Sequence, residues 1–169
     1  FLADIGWRGV YIEPIPEHYI RCLFRHCRNN VKVINASISG TFNGMINMSV
    51  GAMITTARFD HVEIFNANDW SKGHHSDDIR KVPCLSVSLL LEKFIGNSPV
   101  DIVVIDVEGM EPEIIENWNF DLCKPKLFII ESRDRDPEFP NSIQTEYKNM
   151  LKFLIKNNYE LLHHDGCNV

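Results

Sequence analysis

Asp101-Ile102-Val103-Val104-Ile105-Asp106-Val107-Glu108-Gly109 is the stretch that decides the fold. Ile102, Val103, Val104 and Ile105 are β-branched, stiff at χ1 and suited to a pleated backbone. The run is apolar without alternation, so it predicts a strand covered on both faces, the habit of a central parallel strand in an α/β sheet. Gly109 then makes a turn. Pro112 suits the first position of a helix, with Ile114, Ile115 and Trp118 on its inner face.

Outward from this unit the same grammar recurs. Gly9-Val10-Tyr11-Ile12 ends at Glu13-Pro14 and leads into a predicted helix over 16–29 with Tyr19, Ile20, Leu23 and Phe24 on one face. A second strand covers 31–36. Over 37–70 Gly40, Gly44 and Gly51 interrupt short segments at 45–50 and 61–65, which predicts a hairpin or loop excursion; 72–80 reads as an exposed loop. A helix over 86–94 follows, ended by Gly96-Asn97. A buried strand at 127–131, a helix over 145–157 and a closing strand at 159–164 complete the pattern. Strand–helix alternation with buried strands predicts α/β architecture with a Rossmann-like, doubly wound, mostly parallel sheet. Residues 1–169 are expected to form a single domain with one continuous core, since 169 residues with 44% hydrophobic side chains suit one such unit.

A formal net charge of -6 argues against a protein that neutralises phosphate backbone, so no nucleic-acid partner is expected. No apolar run approaches the roughly 18 to 20 residues that span a bilayer, and residues 1–4 do not read as a signal peptide; a soluble, cytoplasmic protein is expected. Cys22, Cys27, Cys84, Cys123 and Cys167 are odd in number and form no CxxC pair, which favours free thiols over a disulfide framework or a zinc knuckle.

In doubly wound folds ligands bind beyond the carboxyl ends of the strands. The polar residues ending the apolar runs are Glu13, Asn35, Asp106 with Glu108, and Glu131. An acid at Glu13 can accept two hydrogen bonds from a ribose diol, or can be a surface carboxylate before a proline turn. Asp106 and Glu108, two residues apart, face one cleft if the extended backbone persists to Glu108; they then hold a cation, share a proton, or act as base and orienter. Glu131 with Arg133, in the charged run 132–136, either lines a polar substrate or is a solvated face with internal ion pairs. His74-His75 with Asp77-Asp78 lacks the spacing that converges on one metal ion, and no metal site is expected there. His61, His163 and His164 are candidate bases only as any imidazole is.

Residues 6–14 resemble the strand after the first helix of the FkbM family of methyltransferases, and Val104-Ile105-Asp106-Val107-Glu108-Gly109-Met110-Glu111 resembles that family's strand-and-turn signature. Residues 83–91 and 159–168 resemble its later segments, in the right order. The resemblance implies a Rossmann-like O-methyltransferase that uses S-adenosylmethionine to methylate a hydroxyl of a sugar or other small polar metabolite. By that resemblance Glu13 binds the cofactor ribose, Ala36 and Ser37 lie near the adenine, and Asp106 and Glu108 stand near donor and acceptor, with Asp106 favoured as base. Glu131 and Arg133 then contact the acceptor. The family's first glycine-rich strand-turn-helix is expected before Phe1 and its last strand after Val169, so the sequence reads as truncated at both ends. No acid at Asn35-Ala36-Ser37 is available to the adenine amino group, leaving that contact to backbone or to 37–70. Two other readings stay open: a non-catalytic Rossmann-like scaffold, and a divalent-metal phosphotransfer or hydrolase site on Asp106, Glu108 and Glu131.

Overall fold

In chain order the computed structural model, which describes residues 2–51, 54–67, 75–96 and 98–169, runs β1 (Gly9–Ile12), α1 (Pro16–Arg25), β2 (Val31–Ile34), β3 (Ser37–Ser39), β4 (Gly44–Gly51), β5 (Thr55–Thr56), α2 (Phe59–Ala67), β6 (His75–Ser86), α3 (Val87–Leu90), β7 (Ile102–Ile105), α4 (Glu111–Glu116), β8 (Leu127–Ile130) and α5 (Asn141–Lys156). A 3-10 turn at Leu2–Ile5 precedes β1, and a π-helical turn at Leu91–Ile95 continues α3.

The chain is a mixed α/β fold, but among the described residues its strands stand in three sheets instead of one. β1 pairs with β2 and β7 with β8, both in parallel. The third sheet is four-stranded and mixed, ordered β3-β6-β4-β5, with β3 parallel and β4 antiparallel to β6. The excursion read over 37–70 therefore contains an antiparallel β4–β5 pair, as a hairpin reading requires, and also a helix, α2, that the glycine-interrupted pattern did not predict. The stretch read as an exposed loop at 72–80 forms, from His75 on, the first half of β6. Its polar residues hold strand geometry because β4 supplies a partner along most of its length.

α4 and α5 cover one face of the β7–β8 pair, where Ile105, Ile114, Ile115, Ile130, Tyr147 and Met150 join the main core. The strand expected to be covered on both sides is covered on one: Val104 is 66% exposed and Ile129, its partner across the pair, is exposed as well. α1 ends at Arg25 instead of 29 because the chain turns there, the Asn29 N–H donating to the His26 carbonyl and its side chain bonding Asp4. Its apolar face, Ile20, Leu23 and Phe24, is exposed. A second, smaller cluster of Ile15, Met48 and Val82 lies apart from the main core.

The closing segment departs from the expected strand at 159–164. The Tyr159 hydroxyl donates to the Pro125 carbonyl at 2.6 Å and its ring packs on Phe128, while Leu161 and Leu162 are exposed. The chain reverses at Asp165 and Gly166, the latter at φ +99°, and only then meets the sheet. The backbones of Ile130 and Val169 exchange two hydrogen bonds of 2.9 Å, and the Ser132 N–H donates to the Cys167 carbonyl.

Candidate functional site

Between β1 and β7 lies a cavity of about 950 Å³, within the few hundred to one thousand Å³ typical of small-molecule sites. Each of these strands has one hydrogen-bonded neighbour among the described residues. Glu13, Ala36, Ser37, Asp106 and Glu108, singled out from the sequence, all line the cavity; Glu131 and Arg133 do not.

Glu13 follows β1, its N–H bonded to the Ile34 carbonyl. Its Oε1 accepts from the Ile15 N–H at 2.8 Å, closing the turn before α1, and its Oε2 takes no hydrogen bond among the described residues. Asn35 is a clamp: its Nδ2 donates to the carbonyls of Glu13 and Pro14, both at 2.9 Å, so it holds the end of β1 in place. Ala36 is buried, and the Ser37 hydroxyl donates to the Pro83 carbonyl.

Beyond β7 the extended backbone does not persist to Glu108. Glu108 sits at φ +55°, the left-handed region that costs a non-glycine residue about 1 kcal/mol or more, and Gly109 follows at φ +119°. The carboxylates converge nevertheless: oxygens of Asp106, Glu108 and Glu131 lie within 4.8 Å of one another, a spacing compatible with oxygens around a hard cation. The strained turn is held from behind. The Thr56 hydroxyl donates to the Glu108 carbonyl at 2.6 Å, and Arg58 Nη1 donates to the Gly109 carbonyl and to Glu146. Glu111 accepts from the N–H groups of Val107 and Gly109, and the His61 ring packs against Gly109 so closely that a Cβ there would meet it at 2.7 Å.

Arg133 is the positive centre of the cluster. Its guanidinium donates to Glu131 at 2.5 Å, to Glu108 at 3.2 Å and to Asp136 at 3.3 Å, lies 5.1 Å from the Phe139 ring centre, and its side chain is 9% exposed. The run 132–136, read as either a substrate lining or a solvated face, is folded inward, with Ser132, Arg133 and Asp134 buried and Asp134 bonded to the Ser132 hydroxyl and to His164. Arg133 meets the cavity-lining residues at Glu108, and Glu131 stands beside both Asp106 and Glu108. Burial pushes the Glu108 carboxyl up to about 7, with Asp106 and Glu111 adding to the rise and Arg133 opposing it. Burial, with Glu108 beside it, takes Glu131 to about 8, and its Oε2 is buried without a hydrogen-bond partner.

Thr56 and Arg58, which no feature of the sequence singled out, and His61, a candidate base there, form the supporting wall. Thr56, Arg58 and His61 come from β5, α2 and the link between them, about fifty residues before the turn they hold; no local signal points to them. His61 is buried between Phe139 and Phe65 with neither ring nitrogen hydrogen-bonded, and burial lowers it to about 4, so it is a neutral packing element. His164 is likewise structural, tying the closing loop to Asp134. His74 and the side chains of 75–77 lie outside the described residues. No helix among the described residues is long and apolar enough to cross a membrane.

Residues 1–161 match a family model described as the methyltransferase FkbM domain. No curated protein and no solved structure matches the chain.

Proposed function

The chain belongs to the FkbM methyltransferase family, and from that premise we propose that it transfers a methyl group from S-adenosylmethionine to a hydroxyl of a sugar or other small polar metabolite. The observation that carries the reading is the convergence of Glu13, Ala36, Ser37, Asp106 and Glu108 on one cavity beyond the carboxyl ends of β1 and β7. The residues present fit the cofactor: a carboxylate oxygen of Glu13 without a hydrogen bond suits a ribose diol, and Ala36 brings no side chain large enough to obstruct an adenine ring.

The bound cofactor supplies an electrophilic methyl group on a sulfonium. The protein's part is to align the acceptor oxygen and take its proton. Asp106 is exposed, lines the cavity and has no hydrogen-bond partner among the described residues, so it is the carboxylate assigned to that proton. Glu108, fixed by Arg133, orients the acceptor hydroxyl, and its titration near neutrality suits a group that exchanges a proton with Asp106 during turnover. Glu131 and Arg133 act on the acceptor through Glu108. The free thiols among the described cysteines suit a reducing compartment, in keeping with a cytoplasmic site of action.

Calorimetric titration of S-adenosylmethionine and its demethylated product tests the reading. Saturable binding, weakened about tenfold in Glu13→Ala by loss of a charge-assisted ribose contact, is the expected result. Absence of binding in a chain whose circular dichroism shows it folded would favour the non-catalytic scaffold. With an acceptor in hand, Asp106→Asn that binds cofactor and turns over at the native rate would remove Asp106 from the base role.

A further inference from the structure

Glu111 is a buried carboxylate that the proposed reaction does not use. It stands in the first turn of α4, is 0% exposed, and is not among the residues lining the cavity. Its two oxygens are shared among three donors: Oε1 takes the Val107 N–H at 2.8 Å, and Oε2 takes the Gly109 N–H at 2.9 Å and the Tyr147 hydroxyl at 2.7 Å. A buried carboxylate costs several kcal/mol unless it is fully bonded, so a chain that keeps one here gains something specific from it.

The two amides show what is gained. Val107 and Gly109 flank Glu108, so Glu111 grips the backbone on both sides of the residue held at φ +55°. A left-handed glutamate persists only where its surroundings over-determine it. Thr56 and Arg58 hold the carbonyls of Glu108 and Gly109 from the opposite polarity, and Glu111 is the group that holds the N–H groups. Tyr147 in turn fixes Glu111 to α5, where the neighbouring Glu146 holds Arg58.

We infer that Glu111 is a positioning residue: by bonding both amides that flank Glu108 it sets the left-handed turn that aims the Glu108 carboxylate at Asp106 and Arg133. The role rests on the proposed function only in giving that aim a purpose. Its test needs neither cofactor nor acceptor, so failure of methyl-donor binding and failure of this role are read separately.

The decisive variant is Glu111→Asp, which keeps the charge and shortens the reach by one methylene, so the carboxylate no longer spans both amides. Hydrogen exchange of the Val107 and Gly109 amides and carbon-13 carboxyl titration of Glu108 are followed by NMR. The expected result is exchange about tenfold faster at one or both amides, the worth of one hydrogen bond. The Glu108 midpoint also moves from near 7 toward the ordinary carboxylate range as the side chain swings into solvent. A lower melting temperature with both amides still protected and the midpoint unmoved would make Glu111 merely structural and overturn the inference. Should Glu111→Asp fail to fold, Glu111→Gln serves: the two amides bond different oxygens, and replacing one of these by an NH2 group leaves one amide facing a donor. Loss of protection at one of them supports the role, and full protection at both overturns it. Tyr147→Phe removes one donor and leaves both amides bonded; protection unchanged within about threefold is expected, and loss as large as in Glu111→Asp would reassign the positioning to Tyr147.

Discussion

Replacing Gly109 by alanine puts the site's geometry to a direct test. At φ +119° an L side chain is strained whatever room it has, at about 1–3 kcal/mol. Room is also lacking: the new Cβ would lie 2.7 Å from Cε1 and Nδ1 of His61 and 3.0 Å from Cγ of Arg58. Neither neighbour yields easily, because His61 is wedged against Phe65 and Phe139, and Arg58 is bonded to Asp60, Glu146 and the Gly109 carbonyl. Overpacking of this kind costs about 1–3 kcal/mol, for a total of about 2–6 kcal/mol. At about 2–4 °C per kcal/mol for a chain of this size, Gly109→Ala should melt on the order of 10 °C below the native protein in a circular dichroism scan. A double-mutant cycle divides the two terms. His61→Ala removes the clash and leaves the strain, so the pair should couple by about 1–3 kcal/mol. A melting temperature within about 2 °C of native for Gly109→Ala, or additive effects in the cycle, would refute the turn as described here.

Other outcomes follow from the charges. Arg133→Met leaves Glu108, Glu131 and Asp136 without their cation in a buried setting and should cost about 3–5 kcal/mol in urea unfolding; a loss below about 1 kcal/mol would place Arg133 among ordinary surface pairs. Stability should depend on pH with an uncommon sign. Glu108 and Glu131 keep protons in the folded chain up to about 7 and 8 that the unfolded chain releases near 4.5, so stability is fullest below 4.5 and falls as pH rises to 8. Buried His61 runs the other way: its contribution is present above 6.5 and is lost as pH falls toward 4. Melting temperature should therefore decline from pH 6.5 to 8, where His61 no longer opposes, and Glu131→Gln should flatten that decline; a rise over this interval would contradict both assignments. If Glu13 serves the cofactor, Glu13→Gln should weaken S-adenosylmethionine by about tenfold in calorimetry while leaving the melting temperature within about 2 °C, a split that a purely structural Glu13 would reverse.

How much of this was legible in the sequence depended on how local the cause was. Apolar runs announced β1, β2, β7 and β8, and Gly109 after Asp106-Val107-Glu108 announced a turn bearing two acids, because strand and turn preferences act over a few residues. The geometry of that turn was not legible: Glu108 leaves the extended path, and the groups that hold it there, Thr56, Arg58 and Tyr147, come from elsewhere in the chain. For the same reason the sequence left Arg133 undecided between a substrate lining and a solvated face. Mixed charge in a short run is usually solvated, and only Glu108, Glu131 and the Phe139 ring, brought together by folding, turn it inward. The split of the strands into three sheets was equally hidden, since the antiparallel reach of β4 along β6 uses polar residues whose pattern names no partner.

The open strand edges at the cavity bear on how the molecule behaves in company. Unpaired edges ordinarily invite another molecule's strand and so seed association. β1 and β7 turn residues toward a shared recess instead of toward an outer rim. A strand from a neighbouring molecule that paired with either edge would have to enter that recess. A ligand entering that recess would meet the backbone donors and acceptors of both edges beside Asp106 and Glu108.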